Sequence, residues 1–211
     1  MRILANDGIA QSGIDVLEKA GFEVMTVKVA QEQLENFINE NEIDGLLVRS
    51  ATQVRKELID SCPDLKLIGR GGVGMDNIDV AYARGKGLHV INTPAASAES
   101  VAELVFAHFL GGVRYLYDAN RNMPLEGDSK FKQLKKSYAG GTELRGKTLG
   151  LFGFGRIGKA TAKVGLGIGM KVLYHDPRIA KETVEVSFFD GRSVAFDFES
   201  QSKEEVLKAS D

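Results

Sequence analysis

The run Gly153-Phe154-Gly155-Arg156-Ile157-Gly158 restricts what this chain can fold into more than any other stretch. A bare G-x-G-x-x-G is common, so its surroundings matter. Thr148-Leu149-Gly150-Leu151-Phe152 immediately before it reads as an apolar strand, and 159–164 after it reads as a helix. A second strand pattern over 170–174 ends at His175-Asp176, so Asp176 follows Gly158 by 18 positions, close to the spacing such a fingerprint requires. A strand that turns straight into a helix in this way needs its glycines for separate reasons. Gly153 permits the tight turn, Gly155 lets a pyrophosphate approach the backbone, and Gly158 lets helix and strand pack closely. The helix start supplies unpaired N–H groups and a partial positive charge for phosphates. Asp176, at the tip of the second strand, is placed to accept hydrogen bonds from ribose hydroxyls. Its carboxylate would repel a 2′-phosphate, so NAD is expected rather than NADP, although nearby Arg178 keeps the latter open. The plainer alternative is a glycine-rich turn that binds nothing.

Upstream of this unit, short apolar runs alternate with helical patterns. Strands are expected at 2–5, 22–27, 43–48, 65–68 and 88–91, and helices at 12–20, 31–39, 54–61 and 77–84. Such alternation implies a parallel α/β sheet. The pattern changes near 92–97, which is the expected hinge between domains at 1–95 and 96–211. Ser100 with Glu103 fits a capping box opening one long helix toward Arg121, with Gly111 and Gly112 weakening its middle. Residues 123–129, with Pro124 and Gly127, read as a loop. The four lysines of 130–136 read as a solvated helix face rather than an anion site. Downstream, 184–189 and 193–198 alternate apolar and polar residues around Asp190-Gly191, the pattern of a β-hairpin with a primed turn.

Composition narrows the function classes. Net charge is −2, without the basic excess of a nucleic-acid binder. Cys62 is the only cysteine, which excludes an intramolecular disulfide and a cysteine-built metal site. The longest apolar stretch, 101–113, contains Glu103 and His108 and is too short to span a bilayer. With no secretory signal pattern at its start, the chain is expected to be a soluble cytoplasmic protein, without a nucleic-acid or membrane partner.

Four stretches together resemble the NAD-dependent D-2-hydroxyacid dehydrogenases, and within them the phosphoglycerate-oxidising branch. They are Leu47-Val48-Arg49-Ser50-Ala51-Thr52; Gly69-Arg70-Gly71-Gly72-Val73-Gly74-Met75-Asp76-Asn77-Ile78-Asp79; Asn92-Thr93-Pro94 leading to Ser100-Val101-Ala102-Glu103-Leu104; and Glu143-Leu144-Arg145-Gly146-Lys147-Thr148-Leu149-Gly150. The resemblance implies two doubly wound parallel-sheet units, a flavodoxin-like substrate (lid) domain and a Rossmann NAD-binding domain incomplete at its C-terminus, with the active site between them. It implies that Arg156 and Ile157 contact the cofactor pyrophosphate beside Gly153, Gly155, Gly158 and Asp176. It implies that Val73 and Gly74 offer main-chain N–H groups to the substrate carboxylate.

Arg49-Ser50 resembles the pair that separates phosphoglycerate dehydrogenases from relatives acting on lactate or glyoxylate. A guanidinium suits bidentate phosphate recognition; the alternative for Arg49 is a surface ion pair. The family's catalytic Arg, Glu and His are expected beyond Asp211, and His89, His108 and His175 do not substitute for them. No catalytic and no metal-binding residue is therefore assigned. The implied function is NAD-dependent oxidation of a phosphorylated 2-hydroxy acid, 3-phosphoglycerate, in serine biosynthesis, with this chain alone inactive. The alternatives are a glyoxylate/hydroxypyruvate-type reductase and a non-catalytic NAD(H)-binding sensor or scaffold. A homodimer through the NAD-binding domain is expected by the same analogy.

Overall fold

The computed structural model describes residues 1–211, which divide by their contacts into two units, Met1–Ser97 and Ala98–Asp211. In the first unit, the central strands are apolar runs covered on both faces, whereas the edge strands carry exposed Glu23, His89 and Ile91. These strands are β1 (Arg2–Ala5), β2 (Glu23–Met25), β3 (Gly45–Val48), β4 (Leu67–Arg70) and β5 (His89–Asn92), all parallel, in the order β2-β1-β3-β4-β5. Leu4, Leu46 and Ile68 on the central strands are fully buried. Between the strands run α1 (Gln11–Lys19), α2 (Leu34–Glu40), α3 (Lys56–Ser61) and α4 (Val80–Gly85). This order is the flavodoxin-like one. The chain reverses direction across the sheet between β1 and β3, and a crevice opens at the carboxyl ends of those two strands.

The second unit holds α5 (Ala98–Val113), α6 (Leu116–Ser137), β6 (Thr148–Phe152), α7 (Arg156–Gly167), β7 (Lys171–His175), β8 (Lys181–Ser187), β9 (Ser193–Glu199) and α8 (Lys203–Ala209). β6 and β7 pair in parallel with α7 as their crossover, and β8 and β9 form an antiparallel hairpin. The core gathers Phe106, Leu149, Phe154, Val172, Tyr174 and Val184. Alanines let α5 and α7 approach closely: Ala98 and Ala102 on one helix meet Ala160 on the other. Ser202 caps α8, exchanging hydrogen bonds with Glu205. No helix is long and apolar enough to cross a membrane.

Four local expectations need correction. The single helix toward Arg121 is two helices, broken where Tyr115 adopts a left-handed backbone (φ 55°) just after Gly111-Gly112. Ser100 is not a cap, because α5 already starts at Ala98. The expected loop at 123–129 is helical. Pro124 removes one rung from α6, but the turns around it hold, and the backbone leaves helical geometry only at Lys130. Finally, the hairpin does not turn on two primed residues. Gly191 N–H bonds to the Phe188 carbonyl at 3.0 Å, and of the turn residues only Gly191 has positive φ (83°). That is a type I turn followed by a left-handed glycine, a three-residue loop.

Candidate functional site

The glycine loop of the second unit gives each glycine a distinct geometric reason. Gly153 has φ 98°, which a side chain would strain. A Cβ on Gly158 would lie 2.3 Å from the Gly153 carbonyl oxygen, a backbone atom that no rotamer change can move. A Cβ on Gly155 would meet nothing within 4 Å and would project into the space before the helix. Gly155 is also the N-cap of α7 and has no side chain to satisfy the first turn, whose first intrahelical bond is Lys159 N–H to Gly155 O at 2.9 Å. The N–H groups of Arg156, Ile157 and Gly158 have no acceptor within the chain. Arg156 and Ile157 are exposed beside them. Open space, free donors and the positive end of a helix suit a pyrophosphate.

Asp176 sits across from this loop. One carboxylate oxygen accepts the Phe154 N–H at 2.7 Å, and the other accepts those of Arg178 (2.8 Å) and Ile179 (3.1 Å). These bonds, that from Phe154 foremost, hold its carboxyl below the usual carboxylate range. Asp176 is thus an ionised acceptor locked to the loop. The oxygen facing Phe154 keeps a lone pair for a hydroxyl. Glycines, helix start and carboxylate fit the phosphate and ribose ends of NAD. Arg178 is exposed and makes no ion pair.

In the first unit, the crevice at β1 and β3 is framed by Asn6, Asp7 and Gly8 after β1 and by Arg49 and Ser50 after β3. Arg49 and Ser50 are exposed, and no carboxylate lies within ion-pair distance of the Arg49 guanidinium, so the surface ion pair is not formed. Lys28 lines the same crevice, a second cation that no sequence signal marks. The loop carrying Arg49 is tied down from both sides. The Asp7 carboxylate accepts the Arg49 N–H at 2.6 Å, the Thr52 N–H at 3.2 Å and the Thr52 hydroxyl at 2.8 Å. The Asn77 amide donates to the Arg49 and Thr52 carbonyls at 2.8 and 2.7 Å.

Val73 and Gly74 lie on a neighbouring loop, Val73 a little under half exposed. The Asn92 amide fixes the Val73 carbonyl at 2.6 Å, and the Arg70 guanidinium bonds the Gly74 carbonyl and pairs with Asp76 at 3.3 Å. Arg70 also reaches the Arg49 carbonyl at 3.4 Å, so it links the two loops. Sequence reading gave Arg70 and Asn77 no role. His89 and His108 are exposed, and His175 bonds the Gln201 carbonyl at 2.7 Å while its own carbonyl accepts the Gly153 N–H at 2.8 Å. No group of three metal-ligating side chains is assembled.

Asp7 makes a testable contribution to this loop. Burial pushes its carboxyl up, but the donors of Arg49 and Thr52, with Lys28 nearby, outweigh burial and leave it below the usual 3.8. A depressed folded value means stability that is fully present above the unfolded pKa and lost as pH falls through the folded one. Asp7→Asn should therefore lower the unfolding free energy by about 1–2 kcal/mol near neutral pH. Denaturant titrations should show that difference shrinking as pH drops below 3.8. A difference independent of pH would contradict the ionised clamp.

The sequence profile of the D-isomer specific 2-hydroxyacid dehydrogenase catalytic domain matches residues 3–209. The chain belongs to that family. It is 40% identical over 190 residues to a hydroxypyruvate reductase of Thermotoga maritima, covering 90% of this chain and 60% of that one. It is likewise 40% identical over 186 residues to a D-3-phosphoglycerate dehydrogenase of Methanocaldococcus jannaschii, covering 88% of this chain and 34% of that one. Among solved structures it resembles the NAD⁺-bound 3-phosphoglycerate dehydrogenase of Entamoeba histolytica, with TM-score 0.64 and 31% identity over 85% of this chain and 55% of that one. This member of the 2-hydroxyacid dehydrogenase family thus spans from a third to three fifths of its relatives' length.

Proposed function

We propose that residues 1–95 bind the substrate and residues 96–211 bind NAD in a dehydrogenase that oxidises 3-phosphoglycerate to 3-phosphohydroxypyruvate. NAD supplies the hydride acceptor when bound. The free N–H groups in the first turn of α7 hold its pyrophosphate, Gly155 leaves room for that approach, and Asp176 takes a ribose hydroxyl while disfavouring a 2′-phosphate. Val73 and Gly74 orient the substrate carboxylate through backbone N–H groups, and Arg49 with Ser50 binds its phosphate. The general base and the cation that polarises the developing carbonyl are not assigned to any residue of 1–211.

The observation that carries the phosphate assignment is the Arg49 guanidinium, exposed and without a carboxylate partner at the sheet's switch point. The 40% identity to a hydroxypyruvate reductase supports a second reading, reduction of a non-phosphorylated 2-oxo acid. Ranking kcat/KM of the intact gene product over 3-phosphoglycerate, hydroxypyruvate and glyoxylate decides between them. The first reading requires 3-phosphoglycerate to lead, and a lead for hydroxypyruvate would replace it with the second.

A second copy of the chain is proposed to cover α5 and α6. Leu104, Leu110, Leu116, Tyr117 and Leu125 leave about half or more of their surface exposed on these helices, an apolar display that usually marks an interface. Sedimentation at twice the chain mass is expected, reduced toward the monomer by Leu116→Glu. A monomeric wild type would refute the pairing.

A further inference from the structure

The β8–β9 hairpin follows the cofactor strand directly, and its base is woven into the dinucleotide site. Phe154, the middle residue of the first Gly-x-Gly, is fully buried. Its ring stacks on Tyr174 at the end of β7, with centroids 3.8 Å apart and planes 13° from parallel. Its other neighbour is Phe198 on β9, edge-on at 5.5 Å. The backbone N–H of this same Phe154 is the donor to the Asp176 carboxylate. Just past β9, the Ser200 hydroxyl accepts the Asp176 N–H at 2.9 Å and donates to the Asp176 carbonyl at 3.2 Å. Gln201 N–H bonds the Tyr174 carbonyl at 2.9 Å, and the Gln201 carbonyl holds His175. On the other strand, Val184 is buried in the core and Glu182 pairs with Lys159 of α7 at 3.4 Å.

The distal half differs. Phe188 and Val194 are about half exposed and Phe189 at the tip is fully exposed. Only the base touches the machinery.

We propose that this hairpin is a buttress of the dinucleotide site, with Phe198 positioning the glycine loop through Phe154 and Ser200 positioning Asp176 through its backbone. The proposal rests on the NAD-binding reading above. Phe154 is shared by the Phe198 contact and by the bond to Asp176. A void beside its ring therefore lets the loop's N–H donors drift from the pyrophosphate, and small misplacements of preorganised donors are costly. Phe198 and Ser200 are positioning residues, since neither reaches the free donors of the loop itself.

NADH titration of the intact gene product, followed by the nicotinamide's own fluorescence, tests this, with stability measured in parallel. Phe198→Ala should raise the Kd by about tenfold, the scale of a lost aromatic contact. Phe198→Leu should restore it to within about twofold by refilling the space. Ser200→Ala, which leaves the core packed, should raise the Kd about threefold, one hydrogen bond's worth. Leu134→Ala, a core truncation on α6, should lower stability and leave the Kd unchanged, and Phe189→Ser at the fully exposed tip should change neither. Wild-type affinity in both Phe198→Ala and Ser200→Ala overturns the buttress while the NAD reading stands. A wild type that fails to bind NADH overturns both.

Discussion

Gly158→Ala is expected to abolish NADH binding and to destabilise the second unit, whereas Gly155→Ala is expected to abolish binding alone. One methyl group meets two different surroundings. At Gly158 it would sit 2.3 Å from the Gly153 carbonyl oxygen, so either the turn or the helix start must move. Forced overpacking of this kind costs about 1–3 kcal/mol, and the displaced turn carries the N–H donors with it. At Gly155 the methyl finds no neighbour within 4 Å, so the apo chain accommodates it. Losing a glycine N-cap for alanine costs no more than about 1 kcal/mol. The same methyl then stands where the pyrophosphate must come. Both variants should weaken NADH by about a hundredfold or more, equivalent to at least two hydrogen bonds to a charged group. If Gly155→Ala bound NADH like the wild type, the open space before α7 would not be the phosphate site.

The second large effect concerns Arg49. Replacing it with Ala in the intact gene product should lower kcat/KM for 3-phosphoglycerate by about 10–100-fold, the loss of a hydrogen-bonded charge pair. Hydroxypyruvate should change by less than about twofold, because it has no phosphate for the guanidinium to hold. Arg49's backbone, not its side chain, carries the bonds to Asp7 and Asn77, so the loop should survive the substitution. Parallel losses on both substrates would mean that Arg49 shapes the loop and does not read the phosphate.

What the sequence revealed follows from how local each determinant is. The glycine loop was legible because turn, close approach and helix start lie within six consecutive residues. The central strand at 43–48 was legible because a strand covered on both faces must be apolar without interruption, and the others because short apolar runs alternate with helical patterns. The ties that hold the candidate substrate loops were not. Asp7 meets Thr52 across 45 positions and Asn77 meets Arg49 across 28, and nothing in either segment encodes the other. Pro124 gives a false loop signal because a proline's local cost is not decisive where neighbouring turns carry the helix through it. Asp190-Gly191 misled because a glycine that permits positive φ serves a primed turn and a type I turn with a bulge equally well. The hairpin was expected, but its contact with Phe154 depends on three-dimensional packing and left no mark in the alternation of its residues.

The measurement that bears most directly on the central claim is a paired titration of the wild-type intact gene product with NADH and NADPH at near-neutral pH, where Asp176 is ionised. The account predicts saturable NADH binding, with NADPH weaker by about tenfold or more, because a 2′-phosphate would face the Asp176 carboxylate. Equal affinity for the two would contradict the role given to Asp176, and the absence of any NADH binding would contradict the dinucleotide site itself.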